Sequence, residues 1–433
     1  MLIRFIFENW CSFRDTAELN MTAASEELHQ ERLPVLDQFD LKMLPVAAVY
    51  GANSSGKTKF IDALACLQKM ALYGTGTNST DDGIPVHPFA LDSESPGRPT
   101  RFSIDVEIDG LLYSYGVSFF PDCISEEKLV VEDSASAFDV FERRYGSPMT
   151  FDADYLSNEE LSVLKAVELD TRQNQLFLNQ AFRLNAEKLL PLYQWFADKL
   201  FIIGCRDDAV PMNRFAEDND VLGDEASRLL RDLGIGINRF GAVGPAGSPS
   251  PKEAEMLAMN NRLLRRGVPL RIGDAVFLLE NGEPTRKKLM AFHKGRDGFE
   301  TAIDFKEESD GVFRLFDLVP AFIRLRTDPA EAIVLVVDDL NRNLHPNALE
   351  WLLEYYLNSC SSESRNQLVF TTHDVNLLAR RMLRRDELWG IDKDSSDAST
   401  LYSFLDFKDI ENNIDIRKLY QQGFLGAVPR IVE

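Results

Sequence analysis

The chain has 433 residues, a hydrophobic fraction of 45% and a formal net charge of −22, enough for two or three domains with a substantial core. The acidity argues against a protein built to coat DNA, because phosphate contacts need clustered Lys and Arg. The basic runs at 262–266 (RLLRR) and 380–385 (RRMLRR) are equally well read as solvated helix faces, so DNA is a possible partner that charge does not indicate. No apolar run approaches the roughly 18 residues needed to span a bilayer, and the opening MLIRFIFENW does not fit a signal peptide. Five scattered cysteines without a CxxC pair argue against a disulfide framework and structural zinc, and point to the cytoplasm.

Two strands, 3–8 and 16–21, are expected to open the chain around a short polar turn. The run 46–50 (VAAVY) is short and apolar, the pattern of a buried parallel strand. Residues 59–72 carry Phe60, Leu64, Leu67 and Met70 or Ala71 at helical spacing. Between strand and helix, Gly51, Ala52, Asn53, Ser54, Ser55, Gly56, Lys57 and Thr58 spell the Walker A pattern G-x-x-x-x-G-K-[ST]. In that geometry successive backbone N–H groups and a helix N-terminus wrap polyphosphate. Lys57 is expected to reach the β and γ oxygens and Thr58 to ligate Mg²⁺, which calls for ATP or another nucleoside triphosphate.

Residues 73–100 are rich in Gly, Ser, Asp and Pro and read as loop. The alternation over 102–120, with Asp109-Gly110 as its turn, predicts a hairpin within an antiparallel layer. From 157 to 196 the pattern is helical, most clearly at 176–184 and 189–196. A helix capped by Asp224 is expected to run to Leu233 and stop at Gly234. The stretch 241–251 (GAVGPAGSPSP) reads as a linker, followed by a short charged helix and a hairpin turning at Asn281-Gly282. There is no internal repeat and no sustained heptad.

A phosphate loop needs a second carboxylate for its Mg²⁺, and 333–337 (IVLVV) followed by Asp338 has the β-branched composition of a central parallel strand ending in an acid. Next stands Asp339, where many such ATPases place a glutamate that orients the attacking water. Aspartate is one methylene shorter and falls roughly 1.5 Å short on an unchanged backbone, a misplacement that can cost about a hundredfold in rate. Either the backbone compensates or the chain is a slow hydrolase that uses ATP as a conformational ligand; both readings stand. A further strand at 368–370 ends in Thr371-Thr372-His373-Asp374, and a histidine at that edge of a doubly wound sheet can contact a γ-phosphate. His29, His87 and His293 lack such a context. At 307–311 (EESDG), Ser309 and Gly311 precede an amphipathic helix carrying Val312, Leu315, Phe316, Val319 and Phe322 or Ile323 on one face; alone, this is a helix cap.

These pieces, in this order, resemble the ABC-type ATPases of the SMC-like and OLD-like branch, particularly the bacterial AAA family ATPases of anti-phage defence operons. Residues 8–15 (ENWCSFRD) are similar to that branch's opening "eNF-x-SF-x-d". Residues 49–58 resemble its "YGaNgSGKS" loop, with Ser55 where glycine is usual. Residues 308–318 (ESDGVFRLFDL) resemble its signature motif, and 338–346 with 369–378 its Walker B, D-loop and switch-histidine region. Residues 385–389 (RDELW) and 420–429 (YQQGFLGAVP) are similar to the tail of one subgroup, with Phe424 in place of an arginine. The likeness is weak through 120–300.

The resemblance implies an α/β fold: a P-loop NTPase of ABC/SMC-head type with an antiparallel β layer and a helical/β insertion. Its divisions would be 1–72 and 309–433 as the two halves of the ATPase head, with 73–308 between them. It implies a head-to-tail homodimer in which Ser309 and Gly311 of one copy close the phosphate loop of the other, a glutamine for which Gln180 is the candidate, and a separate effector such as a TOPRIM-type nuclease. An SMC-like DNA-repair ATPase is the alternative, although the interval from Thr58 to Ser309 lacks heptads. A transporter subunit would need an LSGGQ-like signature and membrane company. A nuclease within the chain would need Glu387, Asp392 and Asp394, but 389–392 with 400–404 reads as one hairpin around a turn.

Overall fold

The computed structural model describes residues 1–76, 79, 82–204, 209–211, 223–265, 267–379, 381–407 and 415–429. It divides into two compact units, Met1–Ile202 with Pro329–Leu340 and Cys360–Glu433, and Ile203–Asp328 with Asn341–Ser359. The side chain of the expected cap Asp224, Cys205 and parts of both basic runs lie outside the described residues.

The first unit is built on two large sheets, beside a two-stranded one of Val35–Leu36 and Leu41–Lys42. One runs in the order Leu200–Ile203, Val334–Val337, Gln367–Thr372, Val46–Gly51, Leu388–Lys393, Ser399–Ser403. Its centre is parallel, and every residue of Val46–Gly51, Val334–Val337 and Gln367–Thr372 is buried, as expected where both faces are covered. The second sheet is antiparallel, in the order Thr150–Phe151, Ala137–Arg144, Ile124–Glu132, Leu111–Phe119, Thr100–Ile108, Leu2–Glu8, Ala17–Asn20. Asp109 and Gly110 turn its hairpin Thr100–Ile108/Leu111–Phe119 with φ of 50° and 82°, the paired positive values that a two-residue turn requires.

Three of these strands, Ile124–Glu132, Ala137–Arg144 and Thr150–Phe151, were not expected. Ile124–Glu132 buries Ile124, Leu129 and Val131 but also Glu127, which is 0% exposed, so a charge interrupts the apolar face where alternation is sought. The Glu127 carboxylate accepts from Tyr115 Oη at 2.8 Å and from the amides of Phe177 and Leu178 at 2.7 and 2.9 Å. It thereby caps the helix Phe177–Arg183, whose own N-cap position, Leu176, offers no side chain. Gln180 lies buried in that helix.

The second unit carries a sheet in the order Ala209–Pro211, Leu270–Ile272, Ala275–Glu280, Glu283–Lys294, Ile237–Val243, with Glu300–Asp304 on Glu283–Lys294. Asn281 and Gly282 turn its hairpin at φ of 53° and 85°. The expected linker is shorter than 241–251, because Gly241, Ala242 and Val243 pair with Met290, Leu289 and Lys288 and Pro251 opens the helix Pro251–Met259. The helix Asp310–Thr327 is held to this sheet by a buried, two-pronged ion pair, Arg271 Nε and Nη2 to the Asp317 oxygens at 2.7 and 2.6 Å. Among the described residues no helix is long and apolar enough to cross a membrane.

Candidate functional site

The phosphate loop leaves the buried strand Val46–Gly51 and enters the 17-residue helix Lys57–Tyr73. Its sharp course needs two positive φ angles, 64° at Ser54 and 121° at Gly56. The left-handed position is therefore Ser54, and the family's glycine, matched letter for letter, falls there and not on Ser55, which corrects the placement expected from sequence. A Cβ on Gly56 would lie 2.6 Å from Ser399 Oγ and 3.0 Å from Ser12 Oγ, and one on Gly51 would run into Ser55 Oγ. Both glycines thus keep the loop tight. Ser399 Oγ donates to the Ser55 carbonyl at 2.6 Å and lies 2.8 Å from Ser12 Oγ, bracing the loop from behind.

Lys57 Nζ folds back onto the loop, donating to the carbonyls of Gly51 and Ala52 at 2.7 and 3.0 Å. No side chain caps the helix at Gly56, so its first amides and positive dipole end face the loop, a setting suited to an anion. Thr58 Oγ1 donates to Asp338 Oδ2 at 2.8 Å. Asp338 is 1% exposed and follows the strand Val334–Val337. Its other oxygen accepts from Thr371 Oγ1 at 2.6 Å, and Thr371 Oγ1 accepts the Asp339 amide at 2.7 Å. His373 Nδ1 stands 3.5 Å from Asp339 Oδ1, with over half of the histidine side chain exposed.

Thr58, Asp338, Asp339 and His373 therefore gather at one end of the parallel sheet beside the phosphate loop. A hydroxyl and a carboxylate oxygen converging on one point are hard donors of the kind Mg²⁺ takes when phosphates supply the rest of its shell, so the residues present fit that ion. Sequence reasoning missed Thr371, Ser12 and Ser399. Ser12 and Thr371 stand inside recognisable motifs that assign them no role, and Ser399 lies in a strand with no motif at all.

Ser309 and Gly311 lie in the second unit. Ser309 caps the helix Asp310–Thr327, its Oγ accepting from Val312 N at 3.4 Å. A Cβ on Gly311 would meet the Asn343 carbonyl at 2.8 Å, and Glu308, just before, is engaged by His293 Nε2 at 2.7 Å. The acidic residues near the C-terminus have structural partners. Glu387 is fully buried and accepts from Arg32 Nη2 at 2.6 Å and the Arg384 amide at 2.7 Å; burial pushes it up to about 7, against the pull of Arg32. Asp394 caps the turn of the hairpin Leu388–Lys393/Ser399–Ser403 by accepting from the amides of Ser396 and Ala398. Among the described residues no group of three or more His, Cys, Asp or Glu side chains is arranged to hold a metal ion. In the tail, Phe424 is 68% exposed.

A mixed sheet carrying strand, phosphate loop and helix, backed by an antiparallel layer, defines an α/β P-loop ATPase of the ABC type. More particularly, the chain belongs to the family described as "AAA domain, putative AbiEii toxin, Type IV TA system", which matches residues 46–188 and 205–379. Those segments hold the phosphate loop, the 308–318 segment, Asp338, Asp339 and His373. No curated protein matches the sequence significantly. Among solved structures, the SMC head domain from Thermotoga maritima is similar at 13% identity, over 93% of this chain and 98% of that one, with a TM-score of 0.33.

Proposed function

We propose that this ATPase binds, and slowly hydrolyses, ATP at a head-to-tail dimer interface, and that it is the sensor or regulator subunit of an anti-phage defence system whose effector, a nuclease or toxin, is a separate protein. The single observation that carries the nucleotide chemistry is the bond between Thr58 Oγ1 and Asp338 Oδ2 beside the phosphate loop. Gly51 to Thr58 cradle the phosphates, and Lys57 exchanges its two loop carbonyls for phosphate oxygens. Thr58 and Asp338 would hold Mg²⁺, which would supply charge neutralisation to the phosphates. Asp339 orients the attacking water and His373 meets the γ-phosphate. Ser309 and Gly311 come from the second copy, so that 1–72 and 309–433 act as the two halves of the head and 73–308 as its insertion.

The family description reads "putative AbiEii toxin, Type IV TA system"; the place in a defence operon, the separate effector and the cytoplasmic location are our proposal. An SMC-type DNA-repair ATPase would place long coiled-coil helices between Thr58 and Ser309. Among the described residues there, the longest helix after the phosphate-loop helix is Asn158–Asp170, of 13 residues, which favours the first reading.

Light scattering with and without ATP and Mg²⁺, on wild type and Ser309→Arg, tests the proposal. Doubling of mass with nucleotide in the wild type and its loss in the variant are the expected results. A mass that ignores both nucleotide and substitution contradicts the dimer.

A further inference from the structure

Thr371 is wholly buried near the end of the strand Gln367–Thr372. Three hydrogen bonds run from it to the turn after Val334–Val337. Its Oγ1 donates to Asp338 Oδ1 at 2.6 Å, the same oxygen accepts the Asp339 amide at 2.7 Å, and its carbonyl accepts the Leu340 amide at 3.0 Å. A threonine hydroxyl has one proton and two lone pairs; here the proton goes to the carboxylate and a lone pair takes the amide. With Oδ1 committed to Thr371, Asp338 presents Oδ2 to Thr58. The two amides held by Thr371 bracket Asp339, whose φ of 51° is left-handed, a conformation that is unfavourable for a non-glycine residue.

We infer that Thr371 is a positioning residue of the nucleotide site: its hydroxyl and carbonyl set which Asp338 oxygen is offered beside Thr58 and hold Asp339 in its turn. The inference rests on the ATP reading above. Thr371 acts on the site through the two aspartates, whose orientation and backbone it fixes. Valine has nearly the same shape and cannot make either hydroxyl bond, whereas serine can make both.

The test measures retention of Mn²⁺, standing in for Mg²⁺, in the complex with a non-hydrolysable ATP analogue, by electron paramagnetic resonance. Nucleotide affinity in EDTA is measured alongside, for wild type, T371V and T371S. Residues that orient metal ligands typically cost about 10- to 100-fold in metal affinity when changed. T371V is therefore expected to weaken Mn²⁺ retention by about tenfold or more, with nucleotide affinity in EDTA within about threefold of wild type and T371S close to wild type. Mn²⁺ retention by T371V within about threefold of wild type overturns the inference, as does an equal loss in T371S, which would assign the effect to packing. If T371V does not fold, T371C, of similar volume and a weaker donor, is read against T371S by the same thresholds. A wild type that binds no nucleotide would instead refute the ATP reading itself.

Discussion

Thr58 and Asp338 stand 280 positions apart in sequence, and Thr58 Oγ1 donates to Asp338 Oδ2 at 2.8 Å. The strand order explains the meeting. Val46–Gly51 and Val334–Val337 flank Gln367–Thr372 in parallel, so their C-terminal ends emerge on the same edge, where ligands of open α/β sheets bind. Asp338→Asn replaces an acceptor of two hydroxyl bonds by a group that must donate at one of them. Mg²⁺-dependent ATP turnover is expected to fall by about a hundredfold or more, while binding of ATP in EDTA changes little. Steady-state turnover paired with equilibrium binding checks this, and equal losses in both would contradict the metal role.

Lys57→Ala removes the ammonium that now spans the Gly51 and Ala52 carbonyls. ATP binding is expected to be lost. Calorimetric affinity within about threefold of wild type, less than 1 kcal/mol, would remove Lys57 from the site.

Asp339→Glu tests the short carboxylate. If reach is limiting, the added methylene raises turnover. The slow hydrolysis proposed above makes a higher rate the expected result; an unchanged or lower rate would show that the left-handed turn at Asp339, held from Thr371, has already adapted to aspartate. A rise of about tenfold in kcat would show that the side chain is too short.

Glu127→Ala leaves the Tyr115 hydroxyl and two helix amides without their buried acceptor. It also removes the charge partner of Arg143, whose Nη1 lies 3.6 Å from the carboxylate, although the guanidinium keeps its bonds to the Gln175 and Arg172 carbonyls. Unsatisfied buried groups cost about 1–3 kcal/mol each, so a loss of about 3 kcal/mol or more is expected in urea unfolding. A loss below about 1 kcal/mol would mean that the helix Phe177–Arg183 does not depend on this cap.

Glu387 governs a pH dependence. The folded chain keeps its proton up to about pH 7, against the ordinary glutamate value of 4.5, so between those values the native state binds more protons than the unfolded one. The stability contributed by Glu387 should therefore fall as pH rises from 4.5 to 7 and level off above. Glu387→Gln should flatten that fall, whatever its effect on absolute stability through Arg32. Unfolding midpoints for both proteins across this range decide it; parallel curves would contradict the assignment.

Much of the fold was legible because its signals are local. The apolar run before Gly51, the glycines and lysine of the loop, and the Asp109-Gly110 and Asn281-Gly282 turns each act through neighbouring residues. Strand Ile124–Glu132 was hidden by Glu127, a charge on a buried face that makes sense only beside the helix it caps. The 241–251 stretch, rich in Gly, Pro and Ser, concealed the end of a strand whose partner lies about fifty residues away. Tail residues 385–389 were legible as a motif, but not as the buried anchor formed by Arg384, whose guanidinium holds Asp386 at 2.9 and 2.7 Å and donates to the Leu28 carbonyl.

From sequence alone came the phosphate loop, its strand and helix, and two acids at the end of an apolar strand, because backbone conformation and periodicity are written in adjacent residues. Which oxygen of Asp338 faces Thr58, what holds Asp339 left-handed, and what stands behind Gly56 were decided only by tertiary structure. Thr371 and Ser399 make those bonds across 33 and 344 positions, and a hydrogen bond between distant residues leaves no pattern in the chain until the sheet brings its strands side by side.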